Sequence, residues 1–162
     1  MRRLALLAAL LLAACAAEPP PPAESFRDRG VPIGSTTRGG VQDLAGEWVI
    51  AQSFPGAGFA APGTRVTVAP GANGATLRFA GPGGARDLAV AAGGPGRLKP
   101  QDGGPELWVL WVDDDFRTAV IGTPDGSLGW IMDRPGQASL DRTTAAREVL
   151  DWSGYDLGRL GA

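Results

Sequence analysis

From Glu106 to Arg134 the chain reads as three short apolar runs, Leu107–Val112, Thr118–Gly122 and Leu128–Met132. They are separated by Asp113-Asp114-Asp115 and by Thr123-Pro124-Asp125-Gly126. Proline fixes φ and Asp-Gly supplies a left-handed φ, which is tight-turn chemistry. Short runs rich in Val, Ile and Trp between such turns predict an antiparallel meander. In the third run Leu128, Trp130, Met132 and Arg134 share one face of a period-2 strand. Upstream, Gly46–Phe54 reads as a strand with Trp48, Ile50 and Gln52 on one face, and a glycine two residues before the indole allows a tight backbone entry. Between these segments, Thr64–Val68, Ala75–Ala80, Arg86–Ala91 and Gly96–Lys99 alternate with Gly/Pro-rich turns, Asn73-Gly74 being a hairpin signal. Eight sequential antiparallel strands predict an all-β, up-and-down β-barrel whose interior holds side chains or one small ligand.

The period changes after Gly136. Ser139 reads as an N-cap and Leu140–Trp152 as a helix, with Leu140, Ala146, Val149 and Leu150 toward one face and Gly154 as its stop. A single amphipathic helix after an all-β run is expected outside the barrel. That would also explain why Leu107–Val112 is apolar on both faces, one looking inward and the other covered by the helix.

Composition narrows the chemistry. The chain has 162 residues with 25 Gly and 14 Pro, which suits one turn-rich domain plus linker. Its net charge of −2 gives no electrostatic case for nucleic acid. Histidine is absent and the single cysteine is Cys15, so a zinc site, a Ser-His-Asp triad and an intramolecular disulfide are all excluded. Asp113–Asp115 lacks the ligand spacing of a dedicated calcium loop. No residue pair suggests an acid and a base, no cofactor or metal is implied, and a non-enzymatic protein is expected.

Met1-Arg2-Arg3 followed by apolar Leu4–Leu12 reads as a signal peptide, too short to span a bilayer. It ends Leu12-Ala13-Ala14-Cys15, which resembles the lipobox of bacterial lipoproteins. The resemblance implies cleavage after residue 14 and lipidation of Cys15, and the absence of aspartate after the cysteine leans toward the outer membrane, facing the periplasm. The alternative is a plain secretory signal cut near Ala13–Cys15. Residues 15–40, with Pro19–Pro22 and Gly34–Gly40, then form a lipidated Pro/Gly-rich tether, and 41–162 the barrel domain with its helix. Phe26 and Val31-Pro32-Ile33 have no assigned place.

Gly46-x-Trp48 on the first strand, Asp115-Phe116-Arg117 before the seventh and Trp130-Ile131-Met132-Asp133-Arg134 on the eighth resemble the three motifs of the lipocalins, most of all the bacterial outer-membrane lipoprotein lipocalins. The tail Gly154-Tyr155-Asp156-Leu157-Gly158-Arg159-Leu160 matches as well. The resemblance covers Glu106–Leu160 well, Leu44–Phe54 in part, and Gly56–Pro105 poorly. It implies that Arg134 covers Trp48 at a closed end of the barrel, a contact of roughly 0.5–2 kcal/mol. Phe116 stands where the family usually has tyrosine. The implied calyx would be lined by Ile50, Trp108, Leu110, Val120, Leu128 and Trp130, although Trp108, Trp111 and Trp130 also suit a simple core.

Two functions remain open. One is a carrier anchored to a membrane, burying the chain of a fatty acid such as palmitate, or of a lysophospholipid, at about 0.8 kcal/mol per methylene. The other is a filled barrel acting as a periplasmic inhibitor or protein-interaction lipoprotein through the segment before Leu44, as metalloprotease-inhibitor lipoproteins with a G-x-W strand do.

Overall fold

The computed structural model describes residues 23–56 and 58–162. Eight strands follow one another: β1 Gly46–Ser53, β2 Arg65–Gly71, β3 Gly74–Gly81, β4 Gly84–Gly94, β5 Arg97–Pro100, β6 Leu107–Val112, β7 Thr118–Gly122 and β8 Gly129–Asp133. Each pairs antiparallel with the next, and β8 returns to β1, closing an up-and-down barrel. The expected architecture is thus the one observed, and Gly96–Lys99 contributes a true strand, β5.

Alternation builds the interior. Val66 and Val68 of β2, Ala75, Leu77 and Phe79 of β3, Leu88 and Val90 of β4, and Leu98 of β5 all join one buried cluster, while the residues between them are more exposed. Two register shifts break the pattern, one in β1 between Ile50 and Gln52 and one in β6 between Val109 and Trp111. A bulge inserts one extra residue and so exchanges the faces beyond it. In β1, Trp48 and Ile50 therefore face inward, whereas Gln52 turns out and accepts a hydrogen bond from Arg147 at 3.0 Å, contrary to the shared face expected for all three.

Helix α1, Leu140–Trp152, lies outside against β6, β7 and β8, as expected. Ala146 and Leu150 are buried on Leu110, Val120 and Ile131, with Val149 half-buried beside them. Leu140 is exposed at 82%, against expectation. At about 100° per residue it sits roughly 120° around the axis from Ala146. Ser139 precedes the helix with extended backbone but its side chain makes no capping hydrogen bond.

The segment before the barrel is not a free spacer over its described length. Phe26 is buried and stacks on Phe54, which stacks on Tyr155. Arg27 is buried too, donating through Nε to the Ser153 carbonyl and through its terminal nitrogens to Pro124 and Val31. The Thr36 N–H donates to the Val109 carbonyl at 2.8 Å. Residues 24–40, expected to be tether, therefore line the barrel wall. Cys15 and Pro19–Pro22 lie outside the described residues.

Candidate functional site

One end of the barrel is sealed by the residues of the motifs. The Arg134 guanidinium carbon lies 3.9 Å from the centre of the Trp48 ring. The same group donates to the carbonyls of Ala45 at 2.8 Å, Phe116 at 3.1 Å and Glu47 at 3.2 Å, so it ties the entry to β1, the β6–β7 turn and β8 together. Burial lowers its pKa, yet arginine stays charged. Gly46 has φ +98°, and a Cβ there would stand 3.2 Å from an Arg134 nitrogen, so glycine at this position serves both the backbone and the seal. The Trp48 indole N–H donates to Leu44 at 2.7 Å. Phe116 adopts a left-handed φ of +53° in the adjoining turn, where its carbonyl faces Arg134 and Arg38 lies 5.2 Å over its ring.

The three acids of that turn diverge. Asp113 is buried and accepts from the N–H groups of Arg117 and Thr118 and from the Arg117 side chain, Asp114 pairs with Arg38, and Asp115 pairs with Arg117. Burial pushes the Asp113 carboxyl up, but the hydrogen bonds from Thr118 and Arg117 outweigh it and hold the group below the usual carboxylate range. Among the described residues no group of three or more metal-ligating side chains comes together.

The middle of the barrel is filled. Leu44, Val66, Leu77, Leu98, Leu107, Ile121, Trp130 and Met132 surround a void of about 10 Å³, barely the space of one water. Phe79 reaches across from β3, its ring centre 6.0 Å from Trp130 and 4.9 Å from Phe59, both edge-on. These three rings run from the core to the opposite end.

That opposite end is open. The β1–β2, β5–β6 and β7–β8 connections and the chain near Ala23 rim a cavity of about 430 Å³, within the range of small-molecule sites. Its wall is chiefly apolar: Phe26, Phe59, Leu88, Pro100, Leu107 and Leu128. Its charged rim holds Glu24, Arg86 and Asp102. Arg86 lies 4.6 Å over the Phe59 ring and donates to Asp102 at 2.8 Å. The Gly104 N–H donates to Asp102 and, with Arg86, holds that carboxyl below its usual range. The β7–β8 loop is braced from behind by Tyr155, whose hydroxyl accepts from the Thr123 N–H at 2.8 Å and donates to the Leu128 carbonyl at 2.8 Å. Burial raises the Tyr155 pKa, so the phenol stays neutral.

Of the six residues expected to line a calyx, the structure brings together three. Ile50 and Trp130 lie in the interior, and Leu128 reaches the mouth. Trp108, Leu110 and Val120 face the other way, packed in the cluster beneath α1, and so does Trp111. The reason is the phase of the alternation: Leu107 and Val109 turn inward, which puts Trp108 and Leu110 outside, and the paired β7 presents Ala119 and Ile121 to the core with Val120 turned away. The bulge after Val109 then brings Val112 inward and leaves Trp111 outside. Phe79 and Leu88 stand at positions that the alternation of their strands marks as inward, whereas Leu107 lies in a run with no alternation to mark it. Phe59 is unmarked too, because it sits in the short 3-10 turn Gly58–Ala60 of a Gly/Pro-rich loop.

A model of the lipocalin-like domain matches residues 73–162. The match takes in the glycine-rich hairpins, where the motif resemblance was poor, and leaves out Gly46-x-Trp48. Temperature-induced lipocalin-1 of Arabidopsis thaliana is 34% identical over 55 residues, which make up 34% of this chain and 30% of that protein. The chain thus spans under a third of the plant protein's length. Among solved structures, lipocalin 12 from rat epididymis superposes with a TM-score of 0.58 at 10% identity, covering 85% of this chain and 90% of that one. Lobster apocrustacyanin A1 gives 0.56 at 14% identity over 74% and 76%. The siderocalin Ex-FABP gives 0.53 at 14% identity over 74% and 88%. At these identities the likeness is one of fold. With more than half of the chain matched by the family model and the barrel closed by an arginine of its last strand over a tryptophan of its first, this chain belongs to the lipocalin-like domain family.

Proposed function

We propose that the protein is a membrane-anchored carrier of the bacterial outer-membrane lipoprotein type, which holds a single-chain amphiphile such as a fatty acid or lysophospholipid in a cup at the barrel mouth and performs no chemistry on it. The observation that carries this reading is the apolar cavity of about 430 Å³ at the unsealed end. Each methylene buried there contributes about 0.8 kcal/mol. The cup is shallow, because Phe79 and Trp130 occupy the space a deeper calyx would use. Its rim includes Ala23, eight residues after Cys15. A chain of that length spans at most about 29 Å fully extended, so lipid on Cys15 would keep the mouth close to the membrane surface.

The test uses the mature protein stripped of lipid. A fluorescent fatty acid should bind and be displaced by unlabelled palmitate, and native mass spectrometry should show one retained chain. Absence of both defeats the carrier reading. Mass analysis of the mature N-terminus tests the anchor separately: acylated Cys15 is expected, and a free N-terminus beyond residue 15 refutes it.

The filled interior favours a second reading, a barrel inhibitor or interaction lipoprotein. The segment that would have to enter a partner's cleft is, however, held down by Phe26, Arg27 and Thr36. Recovery of a periplasmic hydrolase with the protein, together with no lipid binding, would establish this reading instead.

A further inference from the structure

Resting on the carrier reading, we infer that Arg86 is the head-group site of the mouth and that the ligand it selects carries a carboxylate, with Asp102 as the chain's own competitor for that place. In the antiparallel β3–β4 pair, Phe79 stands opposite Arg86 and Leu77 opposite Leu88. Directly opposed residues project from the same face of the sheet. Phe79, Leu77, Leu88 and Val90 all project into the barrel, so Arg86 occupies an inward position in a row that is otherwise apolar. An inward cation contradicts the binary pattern of its strand, and such local contradictions concentrate at functional sites.

The neighbouring arginine shows the contrast. Arg78, on the outer face of β3, has one complete fork filled by a two-pronged pair with Asp87 at 2.9 and 2.9 Å. Arg86 instead lies over Phe59 on the cavity wall and, among the described residues, donates only one hydrogen bond, from its Nη2 to Asp102 at 2.8 Å. A guanidinium offers five donors in a fork matched to a carboxylate. Both of its forks, Nε with Nη2 and Nη1 with Nη2, include the nitrogen that Asp102 holds, so a carboxylate whose chain lies along Phe59, Leu88 and Leu128 would pair with Nη2 and one free neighbour and meet Asp102 there. The Asp102 carboxylate shows that this position accepts an anion of that shape. Asp102 itself is fixed from the other side by the Gly104 N–H, so the β5–β6 loop and a ligand head draw on the same cation.

The experiment measures affinities of the lipid-stripped mature protein for palmitate, the matching primary alcohol and lysophosphatidylcholine. Wild type should bind the acid at least tenfold more tightly than the alcohol and more tightly than the zwitterion. In Arg86→Met the acid should fall to the level of the alcohol, with alcohol binding changed by less than threefold. Asp102→Asn should raise acid affinity severalfold while leaving the alcohol unmoved. Equal binding of acid and alcohol by wild type, a stronger hold on the zwitterion, or an unchanged acid-to-alcohol ratio in Arg86→Met overturns the assignment and leaves the carrier reading standing. If neither acid nor alcohol binds, the carrier reading itself falls.

Discussion

Phe79 packs directly beneath Phe59, which lines the mouth cup, and removing it should deepen the cup at a definable cost. Its side chain is fully buried between Phe59, 4.9 Å away, and Trp130, 6.0 Å away. Truncation of such a residue to alanine typically costs about 3–5 kcal/mol in stability, against about 5–15 kcal/mol for a whole domain. Phe79→Ala should therefore fold but melt early, and Phe79→Leu provides a milder companion. The vacated space joins the mouth to the interior. If three or four ligand methylenes enter it, about 2.4–3.2 kcal/mol returns at about 0.8 kcal/mol each, or roughly 50–200-fold in affinity. The assay is displacement of a fluorescent fatty acid by alkanoic acids of increasing length. In wild type the gain per added methylene should stop at a plateau. In both variants that plateau should move to longer chains, further in the alanine protein, and saturating ligand should restore part of the lost stability. An identical plateau in wild type and in folded variants would refute the idea that Phe79 limits the depth of the cup.

Other substitutions probe the frame. Arg134→Met keeps an alkyl stem over Trp48 but loses the cation and its carbonyl partners, so denaturant unfolding should show a loss of roughly 2–4 kcal/mol, discounted for partial exposure; Arg134→Lys should recover only part of it. Tyr155→Phe strands the buried Thr123 N–H and should cost about 1–3 kcal/mol by the same measurement, with ligand affinity falling as the mouth loop loosens. Asp113 has a folded-state pKa below its unfolded value near 3.9. Its contribution is therefore fully present above about pH 4 and lost as pH falls through the lower folded value. Urea midpoints across that acid range should drop for wild type and stay flatter for Asp113→Asn, which should be weaker at neutral pH.

The order of the barrel was readable because Gly/Pro turns, and between β6 and β7 the acidic run Asp113–Asp115, separate the strands, and because the alternation of β2, β3 and β4 is regular. The helix was readable to its end residues, since Ala146, Val149 and Leu150 keep the helical period. What failed was the assignment of faces in β6 and β7. Leu107–Val112 is apolar at every position and Thr118–Gly122 is buried throughout, so no polar residue marks which side is out. Trp108, Leu110 and Val120 were lost to the helix side for that reason. The bulge at Val109/Trp111 then exchanges the faces of Trp111 and Val112, and a bulge leaves no mark in an all-apolar run. Phe26 and Arg27 were hidden differently, since their partners Phe54, Ser153 and Pro124 are distant in sequence.

The chain has one tyrosine, and its hydroxyl touches backbone groups at both ends of the loop whose Ser127 and Leu128 edge the mouth. Nature has thus placed a single reporter atom directly behind the entrance. A fluorinated tyrosine would yield one resonance, and any rearrangement of that loop during uptake would be felt there first.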